Sequence, residues 1–176
     1  MSRPLTELLA AGIRDVADFP TPGVGFKDIT PLLADPAAFS ALVRALAAHA
    51  DELGATAVAG IEARGFVLAA PVAVQAGLGF WPVRKAGKLP GPVLRREYAL
   101  EYGTAVVELN ADVVRPGDRV LVVDDVLATG GTAAAACALL EEAGAEVVGV
   151  SVLLELAFLD GRDKLTGREV RTLLVG

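Results

Sequence analysis

Apolar residues along this chain follow two spacings, one typical of helices and one typical of buried strands. Asp35 and Pro36 provide an N-cap and a first turn, and apolar residues then recur three or four positions apart as far as Leu53, just before Gly54. This spacing predicts a helix over 36–53. Two further helices are predicted over 65–75 and 133–142, and six strands over 56–61, 78–83, 104–109, 120–123, 146–154 and 169–175.

The order of these elements indicates the class of fold. Strands that alternate with helices favour an α/β fold, with a mostly parallel central sheet and helices on both faces. The length of 176 residues fits one domain, since the composition shows no break and no low-complexity linker. A hydrophobic fraction of 53% excludes a disordered chain and supplies enough apolar residues for a core.

The most informative segment lies over 120–132 and reads VLVVDDVLATGGT. Four apolar residues of a predicted strand end at Asp124 and Asp125, and a loop rich in Gly and Thr leads into an Ala-rich helix. Backbone N–H groups of such a loop and the positive end of the helix dipole bind a phosphate dianion. Two adjacent carboxylates before the loop can accept hydrogen bonds from the vicinal hydroxyls of a ribose.

The alternative for this segment is an ordinary strand–loop–helix unit whose paired acids are merely solvated. It is not a Walker loop, because no Gly-Lys-Ser/Thr ends it, and it lacks the GxGxxG of dinucleotide folds. Glu62 and Arg64 follow another predicted strand, and ligands of parallel sheets bind beyond the carboxyl ends of strands. We therefore expect these two residues to share one crevice with Asp124 and Asp125.

A second segment, over 84–96, reverses the charge of the chain. It carries five cations and no acid, whereas the whole chain has a net charge of −6. Its Gly and Pro residues predict an irregular loop, which is either a solvated basic loop or an attractor for a polyanion such as pyrophosphate. The next residues, 97–103, contain two Glu-Tyr pairs, and their composition suits a mobile lid over a bound ligand.

A third segment, over 18–28, contains two Pro (Pro20 and Pro22) and two Gly (Gly23 and Gly25). This composition predicts an ordered loop rather than a helix or strand. Phe26 is either part of the core or a face on which a flat heterocycle stacks, with neighbouring backbone groups bonding the ring edge.

Composition also disfavours several classes of protein. The acidic net charge disfavours a nucleic-acid partner, and every apolar run is shorter than the about 20 residues of a membrane span. No secretory signal is visible, and the single Cys137 excludes an internal disulfide, so we expect a cytoplasmic protein. Cys137 is expected to be a buried thiol and His49 a surface or boundary residue. A lone His cannot build a metal cluster, so no metal site formed by the protein is expected.

Taken together, these segments resemble one family of enzymes. The 120–132 motif is similar to the phosphoribosyl pyrophosphate motif of the type I phosphoribosyltransferases. FPTPGVGFKDITPLL (19–33), GIEARGF (60–66) and PVRKAGKLPGPVLRREYALEYG (82–103) resemble the adenine members of that family, in the same order and over nearly the whole chain. One departure is Gly25, where the family usually has Val or Ile, so part of the apolar wall against the base is lost.

The resemblance implies a reaction of purine salvage, in which adenine and phosphoribosyl pyrophosphate, with Mg²⁺ bound mainly through the latter, give AMP and pyrophosphate. It also implies a homodimer, and a single domain over 1–176 in which 1–34 forms a small adenine-recognising hood and 35–176 the core. The resemblance assigns the ribose to Asp124 and Asp125, the 5′-phosphate to Ala128, Thr129, Gly130, Gly131 and Thr132, the pyrophosphate to Arg64, Arg84, Lys85 and Lys88, adenine to Gly25, Phe26 and Lys27, and catalysis to Glu101, Tyr102 and Arg64.

Two alternatives stay open. A phosphoribosyltransferase for hypoxanthine, xanthine or orotate would keep the 120–132 motif but neither the Phe26 loop nor LEYG (100–103). A non-catalytic regulator that senses phosphoribosyl pyrophosphate would need an appended DNA-binding domain, for which we expect no room in these 176 residues.

Overall fold

The computed structural model describes residues 4–99 and 103–176. Within these ranges five α-helices and nine strands are present, and none of the helices is both long and apolar enough to cross a membrane. In chain order the elements are α1 (Leu5–Ala11), β1 (Arg14–Val16), β2 (Phe26–Asp28), α2 (Thr30–Ala34), α3 (Pro36–Glu52), β3 (Ala57–Ile61), α4 (Arg64–Ala76), β4 (Gly79–Lys85), β5 (Val93–Ala99), β6 (Thr104–Asn110), β7 (Arg119–Leu127), α5 (Gly131–Glu142), β8 (Glu146–Glu155) and β9 (Val170–Val175), with short 3-10 turns at Ala111–Val113, Ala157–Leu159 and Gly161–Leu165.

Seven of the strands form the central sheet, in the order β5-β6-β4-β3-β7-β8-β9. Strands β4, β3, β7, β8 and β9 run parallel to one another, whereas β6 and β5 pair antiparallel at one edge. Strands β1 and β2 form a separate antiparallel pair. The prediction of an α/β fold with a mostly parallel sheet is confirmed.

Strand β7 shows why the apolar runs are continuous. Val120 and Val122 are buried on the face covered by α5, whereas Leu121 and Val123 are buried on the opposite face, beneath α3 and α4. Successive side chains of a strand point to opposite faces, so a strand covered on both faces is apolar throughout. This confirms the prediction that helices cover both faces.

Helix α3 follows the local signals of its sequence. The Asp35 carboxylate accepts hydrogen bonds from the backbone N–H groups of Ala37 (2.8 Å) and Ala38 (3.1 Å), two donors that a first helical turn leaves without backbone partners. Gly54 follows the last turn with a φ of +62°, a conformation that ends a helix without strain only for glycine.

Strand β7 is longer than predicted. The sequence predicts its end at Val123, but it continues to Leu127 because β8 pairs with it over this length. Asp124, for example, lies opposite Val152 in the register of the two strands. The two carboxylates of the 120–132 motif therefore lie within a paired strand and not at the start of a loop.

The two predicted loops are shorter than expected. Strand β4 extends to Lys85 and β5 begins at Val93, because β6 pairs with both strands and supplies their hydrogen-bond partners. Residues 86–92 alone remain irregular between them. In the predicted loop over 18–28, β2 forms because β1 pairs with it. Both differences have the same cause: a partner strand distant in sequence decides where pairing stops.

A substitution at Gly60 on β3 tests how closely α4 packs against the sheet. A Cβ at Gly60 would lie 2.7 Å from the Cβ of Ala69 and 2.9 Å from the ring of Phe80. We expect Gly60→Ala to lower the free energy of unfolding by about 1–3 kcal/mol through overpacking. Gly79→Ala is the matched control, because a Cβ at Gly79 would have no atom within 4 Å. Equal stabilities of the two variants in urea denaturation would contradict this packing.

Candidate active site

A cavity of about 500 Å³ opens at the carboxyl ends of β3, β4 and β7. Because β3 pairs in parallel with both neighbours, the segments that follow these strands meet at one edge of the sheet. The structure thus brings together the four charged residues that were expected to share a crevice. The cavity is lined by residues 61–64, Val83, Lys85, Tyr98, Ala105, Val107 and 124–133.

Asp125 lies at the base of this cavity and is only 3% exposed. Its Oδ2 lies 2.7 Å from the Nε of Arg64, so the two side chains form an ion pair. The geometry of the pair is not that of a hydrogen bond, and Oδ2 is a buried atom with no hydrogen-bond partner among the described residues. The charge of Arg64 compensates this acceptor in part, and a well-aligned hydrogen-bond donor would satisfy it fully. A ligand hydroxyl would provide that donor.

The neighbouring Asp124 carboxyl holds its proton unusually well. Burial, and then the negative charge of Asp125, raise the pKa of Asp124 well above its ordinary value. The backbone N–H of Asp125 donates to Asp124 Oδ1 over 2.9 Å and opposes part of that shift. Ionisable groups with displaced pKa values concentrate at functional sites, and a neutral carboxyl can donate as well as accept a hydrogen bond.

All five residues of the predicted phosphate loop, 128–132, line the cavity and lead into α5. Gly130 is the N-cap of that helix, with a φ of +75°. A Cβ at Gly130 would lie 2.1 Å from the carbonyl oxygen of Gly161, so conformation and space both require glycine. The loop therefore presents its backbone to the cavity at the positive end of a helix of 12 residues.

The four predicted pyrophosphate cations divide into two pairs. Arg64 and Lys85 line the cavity, whereas Arg84 and Lys88 do not and instead bind Glu62. Lys88 Nζ lies 2.7 Å from Glu62 Oε1, and Arg84 Nη2 lies 3.3 Å from the same oxygen.

Glu62 thus organises the basic residues, a role that the sequence did not predict. The hydrogen bond from Lys88, together with the weaker contributions of the Lys85 backbone N–H and of Arg84, lowers the pKa of Glu62 to about 2. The available signal was its position directly after β3, facing a segment of five cations and no acid.

A second cavity of about 380 Å³ lies beside the first. Phe26 lines it, as expected for a residue that stacks on a heterocycle, and the ring of Phe19 contacts Phe26 edge-on at a centroid distance of 5.0 Å. Phe19 was not predicted, although it lies in the same Pro- and Gly-rich segment. The complete lining is Val16, Phe19, Phe26, Asp28, Ile29, Thr30, Leu33 and Arg64.

The two neighbours of Phe26 do not line either cavity. Lys27 Nζ forms an ion pair with Asp15 Oδ1 at 2.5 Å, so its side chain is engaged elsewhere. A Cβ at Gly25 would meet no atom within 4 Å, so no close packing requires glycine at that position. The predicted roles of Gly25 and Lys27 concern backbone groups, and they stay predictions.

Arg64 lines both cavities and lies where they meet. Its guanidinium carbon lies 4.9 Å from the centroid of the Phe26 ring, a cation–π contact, while its Nε is paired with Asp125. One side chain thus contacts the aromatic face of the second cavity and the acidic base of the first.

The predicted lid over 97–103 begins as regular structure on β5. Tyr98 lies opposite Ala105 in the hairpin of β5 and β6, and its Oη accepts a hydrogen bond from the hydroxyl of Thr132 over 3.3 Å. Glu101 and Tyr102 lie outside the described residues, so their predicted catalytic role stays a prediction.

Cys137 and His49 lie away from both cavities. Cys137 is fully buried on α5, and burial raises the pKa of its thiol to about 12, so it is no nucleophile. His49 is half-buried on α3, where its Nδ1 lies 2.7 Å from the hydroxyl of Ser151. Both placements match the expectations of a buried thiol and a boundary histidine.

The sequence matches the family model of the phosphoribosyl transferase domain over residues 30–171. It is 73% identical over 165 residues to an adenine phosphoribosyltransferase of Kineococcus radiotolerans, an alignment that covers 94% of this chain and 89% of that relative.

Solved structures agree with this match. The crystal structure of adenine phosphoribosyltransferase from Rhodothermus marinus superposes with a TM-score of 0.92 at 48% identity, covering 98% of both chains. The enzyme from Saccharomyces cerevisiae, complexed with adenine and an imino-altritol bisphosphate, superposes with a TM-score of 0.92 at 36% identity, covering 96% of this chain and 98% of that one.

Asp124→Asn tests the cost of burying the carboxyl. The pKa of Asp124 is raised in the folded protein, so the folded state loses stability as the pH rises from the ordinary value of 3.8 towards the raised one. The neutral amide removes that loss. We expect the variant to be more stable than the parent at pH 7, with a gain that grows as the pH rises above about 4.

Urea denaturation between pH 4 and pH 8 measures this difference. Asp112→Asn, at an exposed carboxylate, is the control and should change stability by no more than about 0.5 kcal/mol. A loss of stability in Asp124→Asn at pH 7 would contradict the raised pKa.

Proposed function

This chain belongs to the adenine phosphoribosyltransferases, a branch of the phosphoribosyltransferase family, and we propose that its two cavities hold the two substrates of that reaction. Adenine and phosphoribosyl pyrophosphate combine there to give AMP and pyrophosphate, a step of purine salvage. One observation carries the proposal: Arg64 joins a cavity with paired carboxylates and a phosphate loop to a cavity with an aromatic face.

The ribose 5-phosphate half of the substrate binds along the carboxyl end of β7. The buried Oδ2 of Asp125 accepts a ribose hydroxyl, and Asp124 bonds the neighbouring hydroxyl. The 5′-phosphate is bound by the backbone of 128–132, because this loop opens at the positive end of α5.

The pyrophosphate half is bound by the cations around the same cavity. Arg64 and Lys85 already line it, whereas Arg84 and Lys88 reach the pyrophosphate by leaving Glu62. A pyrophosphate carries more charge than one carboxylate and offers more acceptor oxygens, so it competes effectively with Glu62 for these two side chains. The Glu62 contacts keep the cations in position until the substrate arrives.

Adenine binds in the second cavity with its ring stacked on Phe26. The guanidinium of Arg64 covers that ring, so stacking of the base requires Arg64 to move, and the incoming pyrophosphate attracts it in the opposite direction. Backbone groups of Gly25 and Lys27 bond the edge of the base. The adenine complex of the yeast enzyme, which shares this fold, supports adenine as the base.

The chemistry follows from these positions. A bond forms between a ring nitrogen of adenine and the anomeric carbon while the bond from that carbon to the pyrophosphate oxygen breaks, so positive charge develops on the sugar and negative charge on the leaving group. Arg64 and Lys85 stabilise the leaving group electrostatically. Adenine is itself the nucleophile, which is consistent with the buried, protonated thiol of Cys137. Glu101 accepts the proton that adenine loses, and the 97–103 segment excludes water.

Mg²⁺ fits the oxygen donors of the cavity. The described residues contain no group of three or more His, Cys, Asp or Glu side chains that could hold a metal ion, but the Asp125 carboxylate and the Asp124 carboxyl group line the cavity. Mg²⁺ is commonly bound through one or two carboxylates and the phosphates of a substrate, so it would be held here mainly by phosphoribosyl pyrophosphate. When bound there, it neutralises charge on the leaving pyrophosphate.

The chain is proposed to form a single domain with two parts. Residues 1–34 act as the adenine-recognising hood, which is supported by Phe19 and Phe26 lining the second cavity, and 35–176 form the core.

We place the protein in the cytoplasm, consistent with a single buried thiol. We also propose that the protein is a homodimer in solution. Size-exclusion chromatography with light scattering tests this by giving a mass of either one chain or two.

Nucleotide formation from different bases tests the function directly. The protein is incubated with phosphoribosyl pyrophosphate, Mg²⁺ and one base, namely adenine, hypoxanthine, xanthine or orotate, and product formation is measured spectrophotometrically. We expect turnover with adenine and a rate at least about a hundredfold lower with the others, since a site built for one set of ring-edge groups leaves its polar groups unpaired with another. Turnover with a different base alone would transfer the assignment to that base, and no turnover with any base would favour the regulator.

A crossed comparison of two variants separates the two cavities. Asp125→Ala should raise the KM for phosphoribosyl pyrophosphate about ten- to a hundredfold, because a charged hydrogen bond is lost, with little change in the KM for adenine. Phe26→Ala should do the reverse, raising the KM for adenine about five- to a hundredfold by removing a stacking face. Phe158→Ala, at a residue 73% exposed, is the control. Equal effects of Asp125→Ala on both substrates would contradict the ribose role.

A further inference from the structure

The 3-10 turn at Gly161–Leu165 lies directly against the phosphate loop. A Cβ at Gly161 would lie 2.1 Å from the carbonyl oxygen of Ala128, and a Cβ at Gly130 would lie 2.1 Å from the carbonyl oxygen of Gly161. The two backbones therefore touch, with no side chain between them. The position of this turn is consequently fixed relative to the loop that binds phosphate.

The turn is also anchored on its other side. Arg162 donates from Nε and Nη2 to the two oxygens of Glu155, at 2.6 and 2.7 Å, and from Nη1 to the carbonyl oxygen of Val170 at 2.9 Å. Leu165 is 1% exposed and packs in the core. The backbone of a residue between Arg162 and Leu165 therefore has a fixed position, from which its side chain extends.

Lys164 is that residue, and its side chain reaches the start of α5. Its Nζ lies 3.7 Å from the point that a Cβ on Gly131 would occupy. Lys164 is exposed and forms no ion pair within residues 4–99 and 103–176. Lys164 does not line the cavity, but its ammonium group lies beside the helix terminus, close to a ligand bound there.

The electrostatics of the cavity favour a cation at this position. The loop 128–132 itself contains no charged side chain, and the Asp125 carboxylate before it would repel a phosphate dianion. Arg64 and Lys85 lie at the part of the cavity assigned to pyrophosphate. A positive charge near Gly131, where the 5′-phosphate is proposed to bind, would offset the repulsion from Asp125.

We propose that Lys164 is a phosphate-binding residue, which pairs with the 5′-phosphate of phosphoribosyl pyrophosphate and of AMP. This inference rests on the proposed function and adds a side-chain cation to a phosphate site otherwise made of backbone. A Lys at this position distinguishes a phosphorylated ribose from a bare nucleoside.

Equilibrium binding of AMP and adenosine, measured by calorimetry, tests the proposal, because the two ligands differ only in the phosphate. We expect Lys164→Gln to weaken AMP about five- to tenfold, in line with an exposed charged hydrogen bond, and to leave adenosine within about twofold. Lys164→Arg should restore most of the affinity for AMP. Arg44→Gln removes one positive charge at an exposed position on α3 and should leave AMP binding unchanged.

Three other outcomes of these binding measurements would overturn the role of Lys164, and one of them would overturn the proposed function as well. Unchanged AMP binding in Lys164→Gln, with normal binding by the parent protein, would overturn the role of Lys164 and leave the proposed function intact. Equal weakening of AMP and adenosine would show that Lys164 only supports the fold, and would also overturn it. Failure of the parent protein to bind AMP at all would overturn the proposed function and this inference together.

Discussion

The approach of the first turn of α4 to the carboxyl end of β7 determines the arrangement of the whole site. A Cβ at Gly65 would lie 2.8 Å from Asp124 Oδ1 and 3.0 Å from the carbonyl oxygen of Val123, so a residue larger than glycine would push the helix away from the strand. With glycine there, Arg64 comes within 2.7 Å of Asp125 and also reaches the ring of Phe26. The distance between the two cavities is thus set by a contact that involves no ligand.

In the free protein, the neighbouring carboxyl groups of the site interact unfavourably, and its cations are paired with groups other than substrate. Asp124 and Asp125 are adjacent near the carboxyl end of β7, where Asp125 is buried and Asp124 half-buried. Desolvation and the charge of Asp125 raise the pKa of Asp124 as a result. Three of the cations proposed for the leaving group are paired with other groups in the free protein: Arg84 and Lys88 with Glu62, and Arg64 with Asp125 and the ring of Phe26. In the proposed reaction, a substrate with hydroxyls, a phosphate and a pyrophosphate would pair with each of these groups. In this account, folding free energy is given up at the positions where the reaction needs charge.

Local signals in the sequence were sufficient for much of this structure. Asp35 and Gly54 define the ends of α3 because capping depends on residues a few positions apart. The continuous apolar run before Asp124 indicates a strand buried on both faces. The segment over 120–132 indicates a ribose phosphate site because strand, loop and helix are contiguous there.

Features that depend on distant segments could not be predicted in this way. The extension of β7 to Leu127 depends on pairing with β8, and β2 exists because β1 lies beside it. The Glu62 contacts and the approach of Lys164 to Gly131 each join residues brought together only by the fold. Periodicity and motif spacing report on neighbours in sequence, so they identify the parts of such a site but not which charges meet.

If one nucleotide spans both cavities across Arg64, a crystal structure of the protein with bound AMP will show it. We expect the adenine ring stacked on Phe26, the ribose hydroxyls on Asp124 and Asp125, and the phosphate at the backbone of 128–132, with Arg64 displaced from the aromatic face. A structure in which the base lies away from Phe26 while the phosphate occupies the loop, or in which the phosphate lies elsewhere, would contradict it.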